Sequence, residues 1–124
     1  RVVETYAAKA QRTVIAAQTA RELGEALESV VTNGTGKRAF MDGYELAGKT
    51  GPAQKIVDGA IAEGQYVSSF IGFGPTRDPQ LCALVIIDEP TGDHYGGQIA
   101  GPLFKTIMYE CYRYLGIPVV TDQP

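Results

Sequence analysis

A lysine, a threonine and two glycines stand together in Gly48-Lys49-Thr50-Gly51, followed by Pro52-Ala53-Gln54-Lys55. A cation and a hydroxyl beside residues without side chains suit the holding of an anionic ligand against a strand edge. Lys49 would supply charge, Thr50 a hydrogen-bonding hydroxyl and Gly51 room for close approach. Taken alone, the tripeptide is better read as a solvated lysine between bulge glycines. Other candidates are weaker. The single histidine, His94, lies in the polar turn Thr91-Gly92-Asp93-His94 with no second general base near it in sequence, and an exposed loop residue is expected. Asp88 and Glu89 adjoin Pro90 and read as a solvated hairpin end. Cys82 and Cys111 have neither metal-ligand nor disulfide-framework spacing, and buried free thiols are expected. The three serines, Ser29, Ser68 and Ser69, are followed three residues later by Thr32, Ile71 and Gly72, so no S-x-x-K occurs, and no S-x-N either.

The elements that must position these groups follow from periodicity. Arg1-Val2-Val3 and Val14-Ile15 read as short extended pieces. Ala20, Leu23, Ala26, Leu27, Val30 and Val31 recur at helical spacing between Gln18 and Thr32, and Asn33-Gly34 supplies a left-handed terminator. Thr35 to Gly43 is loop-like. Three strands are expected: Tyr44 to Val57, irregular around Gly48 and Gly51; Tyr66 to Phe73; and Leu81 to Asp88. Asp58-Gly59 opens the first connection and Pro75-Thr76-Arg77-Asp78-Pro79 forms the second, an antiparallel meander. A last helix runs from near Gly97 to Gly116, with Ile99, Leu103, Phe104, Ile107, Met108, Cys111 and Leu115 as its apolar stripe. Pro102 is tolerable there only in the first turn. Tyr109, Tyr112 and Tyr114 are expected to pack or to reach water with their hydroxyls.

With 124 residues, 44% hydrophobic and a net charge of −3, the chain reads as one soluble globular piece at most. The acidic balance and scattered Lys and Arg argue against nucleic acid as a partner. The longest apolar run, Leu81 to Ile87, is too short to span a bilayer, and no signal-peptide pattern opens the chain. Membrane attachment is therefore expected only through an anchor outside it. Leu81 to Ile87 is apolar on both faces, the pattern of a strand with a neighbour on each side. Only one neighbour is in sight, so the remaining strands of the domain are expected on other polypeptide.

In this order the segments resemble the C-terminal end of a penicillin-binding transpeptidase domain, of the class B division and sporulation type. The resemblance rests on Asn33-Gly34-Thr35-Gly36-Lys37, Gly48-Lys49-Thr50-Gly51, Ser69-Phe70-Ile71-Gly72-Phe73, Asp78-Pro79 and Ile87-Asp88-Glu89-Pro90. Tyr95-Gly96-Gly97, Ala100, Pro102 and Phe104 complete it. It implies an α/β (α+β) fold, an antiparallel sheet with the C-terminal helix packed on it, and residues 1–124 as one incomplete segment of a single domain. It further implies a serine D,D-transpeptidase that cross-links peptidoglycan stem peptides through an acyl-enzyme and is trapped by β-lactams. The expected setting is the outer face of the cytoplasmic membrane, with no metal or organic cofactor. Lys49 would then carry the field of the site and help proton transfer, Thr50 would bond the ligand carboxylate, and Gly51 would admit the acyl group. Pro52 and Ala53 would continue the binding edge. The nucleophile, its partner lysine and the second-motif serine would come from an upstream segment of the same domain, so the isolated chain is expected to be inactive.

Pro52 departs from that pattern. The family usually has threonine there, whose N–H is one of two oxyanion-hole donors, and proline has none. Loss of one such donor lowers rates about a hundredfold to a thousandfold. An edge strand tolerates proline where its nitrogen faces away from the sheet. A slowed enzyme, a shifted backbone recruiting another donor, and a catalytically silent binding module all remain open. So does an unrelated small interaction domain. Lys37 and Arg38 could meet an anionic cell-wall strand, or simply lie in a solvated loop.

Overall fold

The computed structural model describes residues 3–5, 7 and 9–120. Helix α1 spans Ala17–Thr32, strands β1, β2 and β3 span Ala47–Val57, Ala60–Gly74 and Leu81–Asp88, and helix α2 spans Gly96–Leu115. A short 3-10 turn, Lys37–Ala39, lies between α1 and β1. The strands form one antiparallel meander in the order β1-β2-β3, as expected. Arg1 and Val2 of the first extended piece lie outside the described residues, and Val14 and Ile15 join no strand and stay 73% and 45% exposed.

The first hairpin turns on Asp58 and Gly59, both at positive φ (51° and 79°). That pair gives the tight turn whose twist matches its strands. β2 therefore begins at Ala60, well before Tyr66. The irregularity of the hairpin falls between Gln54 and Ile56, not around Gly48 and Gly51, where pairing is unbroken from Ala47 to Gln54. Those two glycines serve close packing instead. A Cβ on Gly48 would lie 2.7 Å from the Phe70 ring, and one on Gly51 2.6 Å from Ser69 Oγ. β3 stops opposite Val67, so the hairpin beyond it continues as a two-stranded ribbon.

α2 packs on the sheet face formed by Ser68, Phe70, Gly72 and Val85. Its buried side is Gly97, Ala100, Gly101, Phe104, Met108 and Tyr112, with the Phe104 and Phe70 rings 4.8 Å apart. This corrects the expected stripe: Phe104 and Met108 are inside, whereas Leu103, Ile107 and Leu115 are exposed. Small residues decide the seating, because a Cβ at Gly72 would lie only 2.5 Å from the Phe104 ring. Val31, Ala39, Met41, Leu46 and Ile117 complete the core. The Tyr112 hydroxyl donates to the Glu45 carbonyl at 3.3 Å, and burial, with Glu45 and Tyr44 beside it, pushes that phenol above its ordinary range.

The end of α1 and the start of α2 differ from expectation. Asn33 is not left-handed (φ −125°); α1 ends because the N–H groups of Gly34 and Gly36 both turn back to the Val30 carbonyl, at 3.1 and 2.9 Å. A Cβ on Gly34 would sit 2.9 Å from Val30 Cα. α2 begins at Gly96, which puts Pro102 in the second turn rather than the first. The Gln98 carbonyl, left without the proline N–H, accepts instead from Arg38 Nη1 at 3.3 Å. Gly116 does close α2 in the left-handed conformation (φ 67°).

The other sheet face is largely open: Ile71, Leu84 and Ile86 are 47%, 55% and 58% exposed. Cys82 lies on it, exposed, and Cys111 is only partly buried, so neither is the buried thiol expected. The outer edge of β3 has no partner strand among the described residues. No described helix is long and apolar enough to cross a membrane.

Candidate active site

Among the described residues β1 is an edge strand, paired with β2 alone. Lys49 is exposed on it, and its ammonium donates to the Thr50 carbonyl at 3.0 Å and lies 3.3 Å from the Thr50 hydroxyl. That hydroxyl is also 3.4 Å from the Thr35 hydroxyl. The start of α2 closes over this pair. A Cβ on Gly97 would collide with the Thr35 carbonyl oxygen and lie 3.0 Å from Thr50 Cγ2. The glycine is what lets helix, loop and strand meet here.

One bond fixes which way Pro52 faces. Ser69 Oγ donates to the Gly51 carbonyl at 2.8 Å, so that carbonyl points toward β2. The C=O and N of a trans peptide point in opposite directions, and the bond before Pro52 is trans. The proline nitrogen therefore faces the free edge. The ladder loses nothing, and the edge lacks an N–H at this point. The missing Cβ of Gly51 makes space for the Ser69 hydroxyl.

Two adjoining cavities run along this edge. One, of about 250 Å³, is lined by Thr35, Thr50, Pro52, Tyr95, Gly96, Gly97 and Gln98. The next, of about 430 Å³, is lined by Pro52, Ala53, Gln54, Tyr66, His94 and Tyr95. They share Pro52 and Tyr95 and together form a groove. Thr50, Pro52 and Ala53 thus line it, while Lys49 reaches it through Thr50. Gly51 lies on the strand between them. A further cavity, about 480 Å³, lies elsewhere, between α1 and the turn after β2, and is lined by none of these residues.

Sequence reasoning missed the far end of the groove. His94 is half-buried rather than an exposed loop residue, its ring stacked between Tyr66 (3.9 Å, 15°) and Tyr95 (4.5 Å, 29°). The stack joins β2 to a distant turn, and no local pattern announces it. Asp88 and Glu89 are likewise not merely solvated. Lys55 Nζ bridges them at 2.7 and 2.8 Å, and those two carboxylates hold its ammonium above the ordinary lysine range. Ser68 and Ser69 are both engaged in donating to backbone carbonyls, and Ser29 lines the separate cavity. Among the described residues no cluster of three or more His, Cys, Asp or Glu could hold a metal ion.

The family model for the penicillin binding protein transpeptidase domain matches residues 3–109. The chain belongs to that family. Stage V sporulation protein D of Bacillus subtilis is 44% identical over 109 residues, which are 87% of this chain and 17% of that protein. The probable peptidoglycan D,D-transpeptidase PenA of Neisseria flavescens is 40% identical over 116 residues, 92% of this chain and 29% of that protein. The chain thus spans less than a third of either relative's length. Among solved structures, the transpeptidase domain of Burkholderia pseudomallei penicillin-binding protein 3 superposes with a TM-score of 0.74 at 40% identity, covering 86% of this chain and 32% of that one. Penicillin-binding protein 3 of Mycobacterium tuberculosis in complex with ampicillin gives 0.77 at 30% identity, covering 89% of this chain and 26% of that one. The expected class B transpeptidase family and mixed α/β fold are both met.

Proposed function

We propose that this chain is one wall of a serine D,D-transpeptidase that cross-links peptidoglycan stem peptides and is acylated by β-lactams. The observation that carries the reading is the convergence of Lys49, Thr50 and the outward-facing Pro52 on one free strand edge beside a groove. An extended peptide would lie along that edge as an added strand. Its terminal carboxylate would meet the Thr50 and Thr35 hydroxyls beside the Lys49 ammonium, near the positive end of α2. The attacking serine, its lysine partner and the second-motif serine are assigned to an upstream segment of the same domain.

The open sheet face supports that assignment. Lys49 pairs with Ile71, and Ile71 with Leu84, so all three share the face on which Ile86 is also bare. Whatever covers these apolar side chains would arrive next to Lys49. The working site is placed on the outer side of the cytoplasmic membrane, with the anchor on other polypeptide, and no metal or organic cofactor is assigned.

A second reading has its own support. With no N–H at Pro52, the edge keeps the groups that bind a peptide while lacking a donor for the developing oxyanion, which favours a binding module of slow or absent chemistry. Labelling of the complete protein with a fluorescent penicillin separates the two. Covalent, denaturation-resistant labelling is the expected result. Reversible binding with no covalent label would establish the second reading, and no binding at all would sink both.

A further inference from the structure

Ser68 and Ser69 are adjacent on β2, so their side chains leave opposite faces of the sheet. Each holds the backbone of a different wall of the groove. On one face Ser69 Oγ donates to the Gly51 carbonyl of β1 at 2.8 Å. On the other, the fully buried Ser68 hydroxyl donates to the His94 carbonyl, in the turn that leads into α2. A buried hydroxyl is unfavourable unless bonded, and here its partner is one of the groove-lining residues.

We infer that Ser68 and Ser69 are paired positioning residues that set the width of the groove and the tilt of its Gly51–Pro52 peptide. This rests on the transpeptidase reading for its functional consequence, though not for its geometry. The Ser69 bond holds the Gly51 oxygen toward β2 and so fixes what Pro52 presents to the open edge. A side chain at Gly51 would occupy the place of that hydroxyl, its Cβ falling 2.6 Å from Ser69 Oγ. The Ser68 bond fixes the height of His94, whose ring sits between Tyr66 and Tyr95. Gly96 lets the same turn lie directly on the Ser69 main chain, where a Cβ would collide with its carbonyl oxygen. Both walls are thereby referenced to two consecutive residues of one strand.

The test uses the complete protein carrying Ser69→Ala, Ser69→Thr or Ser68→Ala. Penicillin acylation is resolved into an apparent Kd and a limiting rate, beside thermal unfolding and amide hydrogen exchange. Ser69→Ala should slow the limiting rate about three- to tenfold, the range one neutral hydrogen bond supports. It should speed exchange at Gly51 and Ala53, and Ser69→Thr should restore both. Ser68→Ala should raise the apparent Kd by a similar factor and speed exchange from Tyr95 to Gln98. Wild-type acylation and exchange in both alanine variants would overturn the inference, as would exchange that rises equally throughout β3. If the unaltered protein takes no label, the transpeptidase reading fails by itself. The serine pair then stands or falls on exchange: faster exchange confined to those two segments upholds it, and unchanged exchange there overturns it.

Discussion

Arg38 donates to the carbonyl oxygen of Gln98 at 3.3 Å, at the one point of α2 where Pro102 leaves that carbonyl without its helical N–H. The expected consequence is a coupling between Arg38 and Pro102. Arg38→Met should lower stability by about 0.5–1 kcal/mol in the natural sequence. In a Pro102→Ala background, where the alanine N–H reaches Gln98, the same change should have almost no effect. A double-mutant cycle by urea unfolding measures the difference, and equal losses in the two backgrounds would refute the pairing.

Pro52 offers the sharpest test of chemistry. Pro52→Thr places an N–H on the free edge without touching the ladder, since the nitrogen already faces outward. Penicillin acylation of the complete protein should then accelerate about a hundredfold to a thousandfold. An unchanged rate would mean that another donor already serves.

Two glycines should answer substitution differently. Gly97→Ala drives a methyl into the Thr35 carbonyl and toward Thr50, which pushes the start of α2 off β1. A loss of about 1–3 kcal/mol is expected, with weaker penicillin binding besides. Gly59→Ala meets nothing within 4 Å and bears only the strain of φ 79°, about 1–2 kcal/mol. Penicillin binding should stay at the natural level in that variant.

Tyr112 makes stability fall in alkali. Its phenol is raised above the ordinary value of 10.0, first by burial and then by the charge of Glu45. The stabilisation from keeping it neutral is complete below pH 10 and is lost as pH rises beyond it, because the unfolded chain ionises first. Thermal unfolding between pH 8 and about 11 should show a decline that is shallower in Tyr112→Phe. Parallel curves would remove Tyr112 as the cause.

The sequence displayed its local signals well and its long-range ones poorly. β3 could be bounded because Pro79 and Glu89-Pro90 flank an unbroken apolar run. The end of α2 was plain from Gly116 and Pro118. The first half of β2 was hidden because Glu63-Gly64-Gln65 looks like a connection, whereas these residues form the irregular stretch of the hairpin between the Ile56–Ile61 and Gln54–Tyr66 pairs. The expected stripe on α2 wrongly took in Leu103, Ile107 and Leu115, whereas the buried side follows Gly97, Ala100 and Gly101, which let the helix approach the sheet, together with Phe104, Met108 and Tyr112. In the groove, Lys49, Thr50 and Pro52 were legible as a motif. The His94 stack and both serine bonds were not, since each joins residues far apart in the chain.

The ribbon beyond β3 has a practical consequence. Past the Lys55 clamp each of its strands pairs, among the described residues, with the other alone, and a Cβ on Gly59 at its tip would meet nothing within 4 Å. A protease should nick it first, and a fluorophore or short epitope spliced in at the tip should be tolerated. Such a reporter would ride on the same strand as Lys49 yet clear of the groove, giving a handle on ligand entry that leaves the ligand undisturbed.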